Sequence, residues 1–202
     1  VKTDNVELKI IATDSAVNAF KNKEVDVTAV TFEQAKEFAG KPELVKANDG
    51  GIYYLLFNTK ENVFKNAKVR RAITMAINKE ELVNKVLEGS EKLTKTFTPS
   101  GIGLNGVSKD FPAEVATDQP KFNVAEAKKL LAEGLKEEGL LELPRFEILF
   151  DDKGSRKAIA EYIQESLRNN LGANVELDMV SGKERIERTK KRDYQISLQN
   201  WT

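Results

Sequence analysis

The glycines at 101, 103 and 106 reproduce the GxGxxG spacing that lets a backbone approach a pyrophosphate. That chemistry needs a strand before the motif and a helix after it, so that the phosphates meet a helix N-terminus. Here Thr98-Pro99-Ser100 precedes it and the run from Ser108 to Pro112 follows, so the segment reads as a flexible loop with no phosphate role. Ser181-Gly182-Lys183 ends like a phosphate loop but lacks the upstream glycines, and reads as a helix cap. Asp151-Asp152 follows a predicted strand end, where open α/β sheets often bind ligands, but no base or metal partner accompanies it. It reads as a turn and N-cap region. Cysteine and histidine are both absent, which excludes disulfides, thiol nucleophiles, Cys/His zinc sites and a Ser-His-Asp triad within this chain. Most carboxylates stand beside lysines on predicted helix faces, as in Lys136-Glu137-Glu138. No catalytic constellation emerges, and nothing calls for a cofactor or metal. What remains are aromatics at strand ends, Tyr53-Tyr54 and Trp201, which offer rigid contact area with a polar tip or pack in a core.

The elements that would position these residues are readable. Ile52 to Phe57 is an unbroken apolar run, a strand covered on both faces, and Asn58-Thr59 ends it through local backbone bonds. Val69, Ala72, Ile73, Ala76 and Ile77 form one helical stripe. Asn78 with Glu81 starts a second helix, buried through Leu82, Val83, Val86 and Leu87 and stopped at Gly89. Upstream, strands are predicted at Val6 to Ala12, Val25 to Val30 and Leu44 to Ala47. Between them lie a short helix capped by Asp14 or Ser15 and a second one opened by Thr31 with Gln34. Downstream, Ser90 to Phe122 is a long Pro- and Gly-bearing connection. Helices follow from Asn123, Ser155 and Ser181, alternating with strands at Phe146 to Phe150, Val175 to Val180 and Tyr194 to Trp201. The strand-helix-strand passage from Phe146 to Val180 predicts a right-handed parallel crossover. The alternation argues α/β, in two parts with separate sheets meeting at Gly50-Gly51.

Composition narrows the partners. Of 202 residues, 40% are hydrophobic and 32% charged, and 32 Lys plus Arg balance 32 Asp plus Glu. No global basic field argues for nucleic acid. No apolar run approaches the length of about 18 residues that spans a membrane. No signal peptide opens the chain, yet Val1 stands just before a predicted strand and Trp201-Thr202 just after one. Both ends read as cut from a longer protein, so the missing signal says nothing about compartment.

The stretch Gly51 to Gly89 carries a more specific signal. Its order of apolar strand, Asn58, Phe64, Val69-Arg70, Ala72-Ile73, Ala76-Ile77, Leu82-Val83 and Gly89 resembles family 5 of the extracellular solute-binding proteins. These are the oligopeptide- and dipeptide-binding receptors that feed ABC importers. Three later segments are also similar to the family: Asn123 to Leu131, Tyr162 to Val175 and Tyr194 to Trp201. Phe20 to Val27 looks like its helix and turn, with Lys23 where glycine is usual, which predicts a less sharp turn.

The resemblance implies a periplasmic-binding-protein type II-like fold of mixed sheets flanked by helices. Residues 1–50 would be part of the first lobe and 51–202 much of the second. It implies ligand contacts from Tyr54, Leu56, Phe97, Gln199 and Trp201, with the connection 90–122 on the rim. It implies peptide ligands bound largely by main-chain pairing, and ABC permease subunits as partners. It further implies a monomer outside the cytoplasm, attached to a membrane only if a longer parent is lipidated, with no catalysis. An acidic residue a few positions past the tryptophan typically holds the peptide amino terminus, a position beyond Thr202. The alternatives are a receptor for another solute or a signalling peptide, or part of an α/β enzyme whose catalytic residues lie outside this chain.

Overall fold

The structure, a computed structural model, describes residues 3–47, 49–94, 96–103, 110–115 and 119–201. The chain divides into two units, Val1–Ala47 and Asn48–Thr202.

In the first unit, α1 (Thr13–Lys21) and α2 (Phe32–Lys36) are the regular elements among the described residues. The cap position of α1 is Ala12, with no side-chain bond, so Asp14 and Ser15 lie inside the helix. Thr31 caps α2 as its sequence predicts: its hydroxyl accepts from the Gln34 amide at 3.2 Å, and its own amide donates to Gln34 Oε1 at 3.0 Å. Ala16, Val17, Ala19 and Phe38 are buried, and the Phe20 and Phe38 rings meet edge to face at 6.1 Å. Lys23 takes the left-handed conformation (φ 61°) that glycine would favour, so the turn after α1 is as sharp as a glycine turn.

The strands expected at Val6 to Ala12, Val25 to Val30 and Leu44 to Ala47 do not form among the described residues of this unit. Val6, Leu8, Ile10, Val27 and Val45 are all exposed. Alternating apolar residues fit a strand face, but a ladder also needs a partner for its N–H and C=O groups, and these segments pair with none of the described residues. The expectation of a sheet in each part is therefore corrected. The sheet among the described residues belongs to the second unit alone.

That unit runs β1 (Ile52–Phe57), α3 (Asn62–Lys65), α4 (Ala67–Met75), α5 (Lys79–Glu81), α6 (Phe111–Glu114), α7 (Val124–Glu137), β2 (Phe146–Asp151), α8 (Arg156–Leu171), β3 (Val175–Val180), α9 (Gly182–Lys191) and β4 (Ile196–Trp201). α5 widens directly into a π-helical turn, Leu82–Val86. α6 places a helical turn inside the long connection expected from Ser90 to Phe122. The caps expected at Asn78, Asn123 and Ser181 are present, each accepting from the amide three residues on. Gly172 ends α8 in the left-handed conformation.

The strand order is β1-β4-β2-β3. β2 runs parallel to β3, as the crossover through α8 requires, and parallel to β4, while β1 runs antiparallel to β4. Alternation along each strand sends Tyr53, Leu55, Phe57, Phe146, Ile148, Phe150, Val175, Leu177, Ile196 and Leu198 to one side. There they meet the apolar stripes of α4, α7 and α8, with Phe64 edge-on to Phe146 at 5.3 Å. α9 packs on the opposite side. Asn58, expected only to end β1 locally, is buried and donates to the carbonyls of Arg192 (3.1 Å) and Tyr194 (2.9 Å), fastening β1 to the entry of β4.

α4 and α7 approach closely at Gly134. A Cβ there would stand 2.8 Å from Val69 Cγ2 and 3.2 Å from the Val69 amide nitrogen. Alanine ordinarily favours a helix over glycine, but here it would have to push two helices apart. Gly134→Ala is expected to destabilise the protein by about 1–3 kcal/mol in urea unfolding followed by circular dichroism. Equal or greater stability would show that the contact yields without cost.

Candidate functional site

The register of β1 on β4 pairs Ile52 with Trp201, Tyr54 with Gln199 and Leu56 with Ser197. These six residues share the sheet face opposite the main core. Ser197 and Gln199 lie toward α9 and are buried, whereas Tyr54 and Leu56 are half-buried and Trp201 is 65% exposed. Phe97, 57% exposed, folds onto this face, its ring edge-on to Tyr54 at 4.9 Å. Tyr54 and Trp201 stand diagonally across the strand pair, a separation of about 7–8 Å that large side chains can bridge. The result is an open aromatic surface at the end of β4, with phenol and indole groups at its edge.

Behind it lies a charged cluster. Asp151, at the end of β2, is 1% exposed and lies between two buried arginines. Arg156 Nη1 donates to Asp151 Oδ1 at 2.5 Å, and Arg185 Nε donates to Oδ2 at 2.6 Å. Each guanidinium also reaches β4, Arg156 Nη2 to the Asn200 side-chain oxygen and Arg185 Nη1 to that of Gln199. The Gln199 amide nitrogen donates in turn to Ser197 Oγ at 2.7 Å and Thr189 Oγ1 at 3.0 Å. Arg156 lies against the Tyr53 ring, 5.8 Å from its centroid, and its Nε has no hydrogen-bond partner among the described residues. Burial alone would push the Asp151 carboxyl up. The Arg185 bond, the Lys153 amide and the two guanidinium charges outweigh it and hold the group below its ordinary value.

A second polar junction joins the connection after the π-turn to the start of α8. Ser155 caps nothing with its side chain, contrary to its predicted role, and instead donates to Glu91 at 3.3 Å. Burial raises the Glu91 carboxyl. It also raises the Tyr53 phenol, and the Glu91 charge adds to that effect.

Of the residues singled out in the sequence, Tyr54, Leu56 and Trp201 share the open face by register, and Phe97 meets Tyr54 there. Gln199 shares that face by register, but its amide is spent inside the protein. Asp151 is no surface turn, and Arg156 and Arg185 were not anticipated. One signal was available for Arg156: a cation in the first turn of a helix opposes the macrodipole, so its charge needs another reason to be there. For Arg185, the signal is the polar spacing with Arg188 and Thr189 along one side of α9. In the glycine motif, Gly101 accepts φ 86° and turns precede it, while positions 104–106 lie outside the described residues. Among the described residues no group of three or more acidic side chains could hold a metal ion, and no helix is long and apolar enough to cross a membrane.

The sequence model of the bacterial extracellular solute-binding proteins, family 5 (middle region), matches residues 1–202, and the chain belongs to that family. It is 31% identical over 198 residues to the dipeptide-binding protein DppE of Bacillus subtilis, a match covering 98% of this chain and 36% of that protein. It is 29% identical over 154 residues to the oligopeptide-binding protein OppA of the same organism, covering 75% of this chain and 27% of that one. The solved structure of Listeria monocytogenes OppA bound to peptide matches with a TM-score of 0.78 at 28% identity, covering 94% of this chain and 38% of the other. The fold is thus of the type II periplasmic-binding-protein class, with a mixed sheet flanked by helices. The family consists of solute-binding proteins and is extracellular by description.

The lowered Asp151 carboxyl has a pH signature. A group depressed in the folded state stabilises it fully above its unfolded value, about pH 4 for aspartate, and that contribution is lost as pH falls through the folded value. Urea midpoints of the wild-type protein should therefore drop on acidification below about pH 4. Asp151→Asn, less stable at neutral pH, should lose less over the same interval. Parallel pH profiles for the two proteins would contradict the assignment.

Proposed function

We propose that this chain forms part of an extracytoplasmic receptor that captures peptides and delivers them to the permease subunits of an ABC importer. In this reading the receptor is a monomer and catalyses nothing. Residues 1–50 belong to its first lobe and 51–202 to its second, and any membrane attachment is through a lipid anchor on the longer parent. Support comes from relatives whose names specify dipeptides and oligopeptides. The single observation that carries the reading is the open aromatic surface of Tyr54, Phe97 and Trp201 on the β1–β4 face. Rigid rings of this kind accept varied side chains by contact area, while the main chain of an extended peptide supplies the directional bonds. Leu56 extends the apolar surface, Phe97 brings the connection 90–122 to its rim, and Gln199 backs it.

The chain spans 36% of the length of DppE, so most of a complete receptor's binding surface lies elsewhere. Affinity of residues 1–202 for a small peptide should accordingly be weak, with Kd on the order of 1 mM, equivalent to about 4 kcal/mol. The probe is tri-alanine, titrated into the isotopically labelled chain and followed by NMR. Amide and side-chain shifts should move at Tyr54, Leu56, Phe97 and Trp201, and Trp201→Ala should weaken binding about tenfold or more, as truncating an aromatic anchor does. Shifts confined to other surfaces, or submicromolar affinity for this chain alone, would overturn the proposal.

A further inference from the structure

We infer that Asp151 is a positioning residue: through Arg156 and Arg185 it holds the last residues of β4 and so sets where Trp201 stands. The observation that carries this is a mismatch between two ladders. β4 pairs with β1 along its whole length, from Ile196 on Phe57 to Trp201 on Ile52. Among the described residues its register with β2 covers only Ile148–Ile196 and Leu149–Ser197. Beyond Ser197, the last four described residues of β4 keep a paired register on one side only, toward the edge strand β1.

Side chains take over where that ladder stops. Gln199 and Asn200 point to opposite faces of β4, as successive strand residues must. Arg185, on α9, holds Gln199 from one face. Arg156, in the first turn of α8, holds Asn200 from the other, beside Tyr53. Asp151 is the shared counter-charge of both, one carboxylate oxygen to each guanidinium. The strand end is thus gripped from both faces through a single carboxylate, immediately before Trp201. Buried ion clusters seldom add stability over well-packed apolar groups, and their best-attested use is to fix one arrangement over others. Here the arrangement fixed is the stance of an exposed tryptophan on a strand that its inner neighbour has released.

The consequence for affinity rests on the ligand-facing reading of this surface given above, whereas the positioning itself does not. The test is amide hydrogen exchange by NMR on the 202-residue chain, with Asp151→Asn, Asn200→Ala and Asn200→Asp. Asp151→Asn keeps the shape but leaves two guanidinium groups without a counter-charge. Asn200→Ala cuts the Arg156 grip while leaving both ion pairs in place, so it remains informative if Asp151→Asn fails to fold. Asn200→Asp keeps the acceptor for Arg156. In Asp151→Asn and Asn200→Ala, exchange at Gln199 and Trp201, whose amides face β1, should accelerate about tenfold more than at Phe146–Phe150, which reports global opening. Asn200→Asp should restore slow exchange. Equal acceleration at both sets of amides, or an unchanged strand end in Asn200→Ala, would overturn the inference. Affinity for tri-alanine should fall about tenfold in the two loosened variants and recover in Asn200→Asp. Local loosening with unchanged affinity would uphold the positioning role and instead overturn the reading of this face as ligand-binding.

Discussion

The second unit depends on β4 lying between β1 and β2. It follows the other described strands in sequence yet is an inner strand of the sheet, with Ile196 and Leu198 buried against the helices. Until it inserts, β1 has no partner, and β2 and β3 form only half a sheet. Asn58 shows how the closure is secured. Its side chain bonds the carbonyl of Tyr194, 136 positions away in sequence, and its amide bonds that of Gln195. Contacts this distant carry a loop-closure cost before they return any stability.

That placement also produces the surface proposed to meet ligand. β4 is buried from Ile196 to Gln199. α9 covers Gln199, but the indole of Trp201 lies beyond it, in the open beside Tyr54 and Phe97. In the proposed receptor, ligand would meet the strand end most dependent on side chains for its position. A surface built this way can be firm without being buried, which suits a protein that must hold a ligand and then release it.

Much of this was legible in the amino-acid order. The strand 52–57, the helical stripe at Val69–Ile77 and the caps at Thr31, Asn78, Asn123 and Ser181 follow from local patterns, and local patterns decide them. The parallel crossover through α8 follows from the handedness of such connections. What was not legible depends on partners distant in sequence. Val6, Leu8 and Ile10 alternate like a strand but have no neighbour to pair with among the described residues. Asp151, Arg156 and Arg185 looked like ordinary surface charges, because nothing local says that α8, α9 and β2 bring them to one point. Gln199 was expected at the ligand through the resemblance alone, and nothing local could reveal that Arg185, Thr189 and Ser197 occupy its amide. The family resemblance named the class of protein, and the packing shows which of the expected site residues stand free.

The central claim is that the end of β4 is held by side chains where its main-chain pairing to β2 stops. Interstrand nuclear Overhauser effects in the free protein test it most directly. Cross-peaks should run along the whole β1–β4 ladder from Phe57–Ile196 to Ile52–Trp201. Between β2 and β4 they should cease after Leu149–Ser197, with the guanidinium protons of Arg156 and Arg185 slow to exchange and close to Asn200 and Gln199. A β2–β4 ladder that continues to Asp151, with those guanidinium protons exchanging freely with solvent, would contradict it.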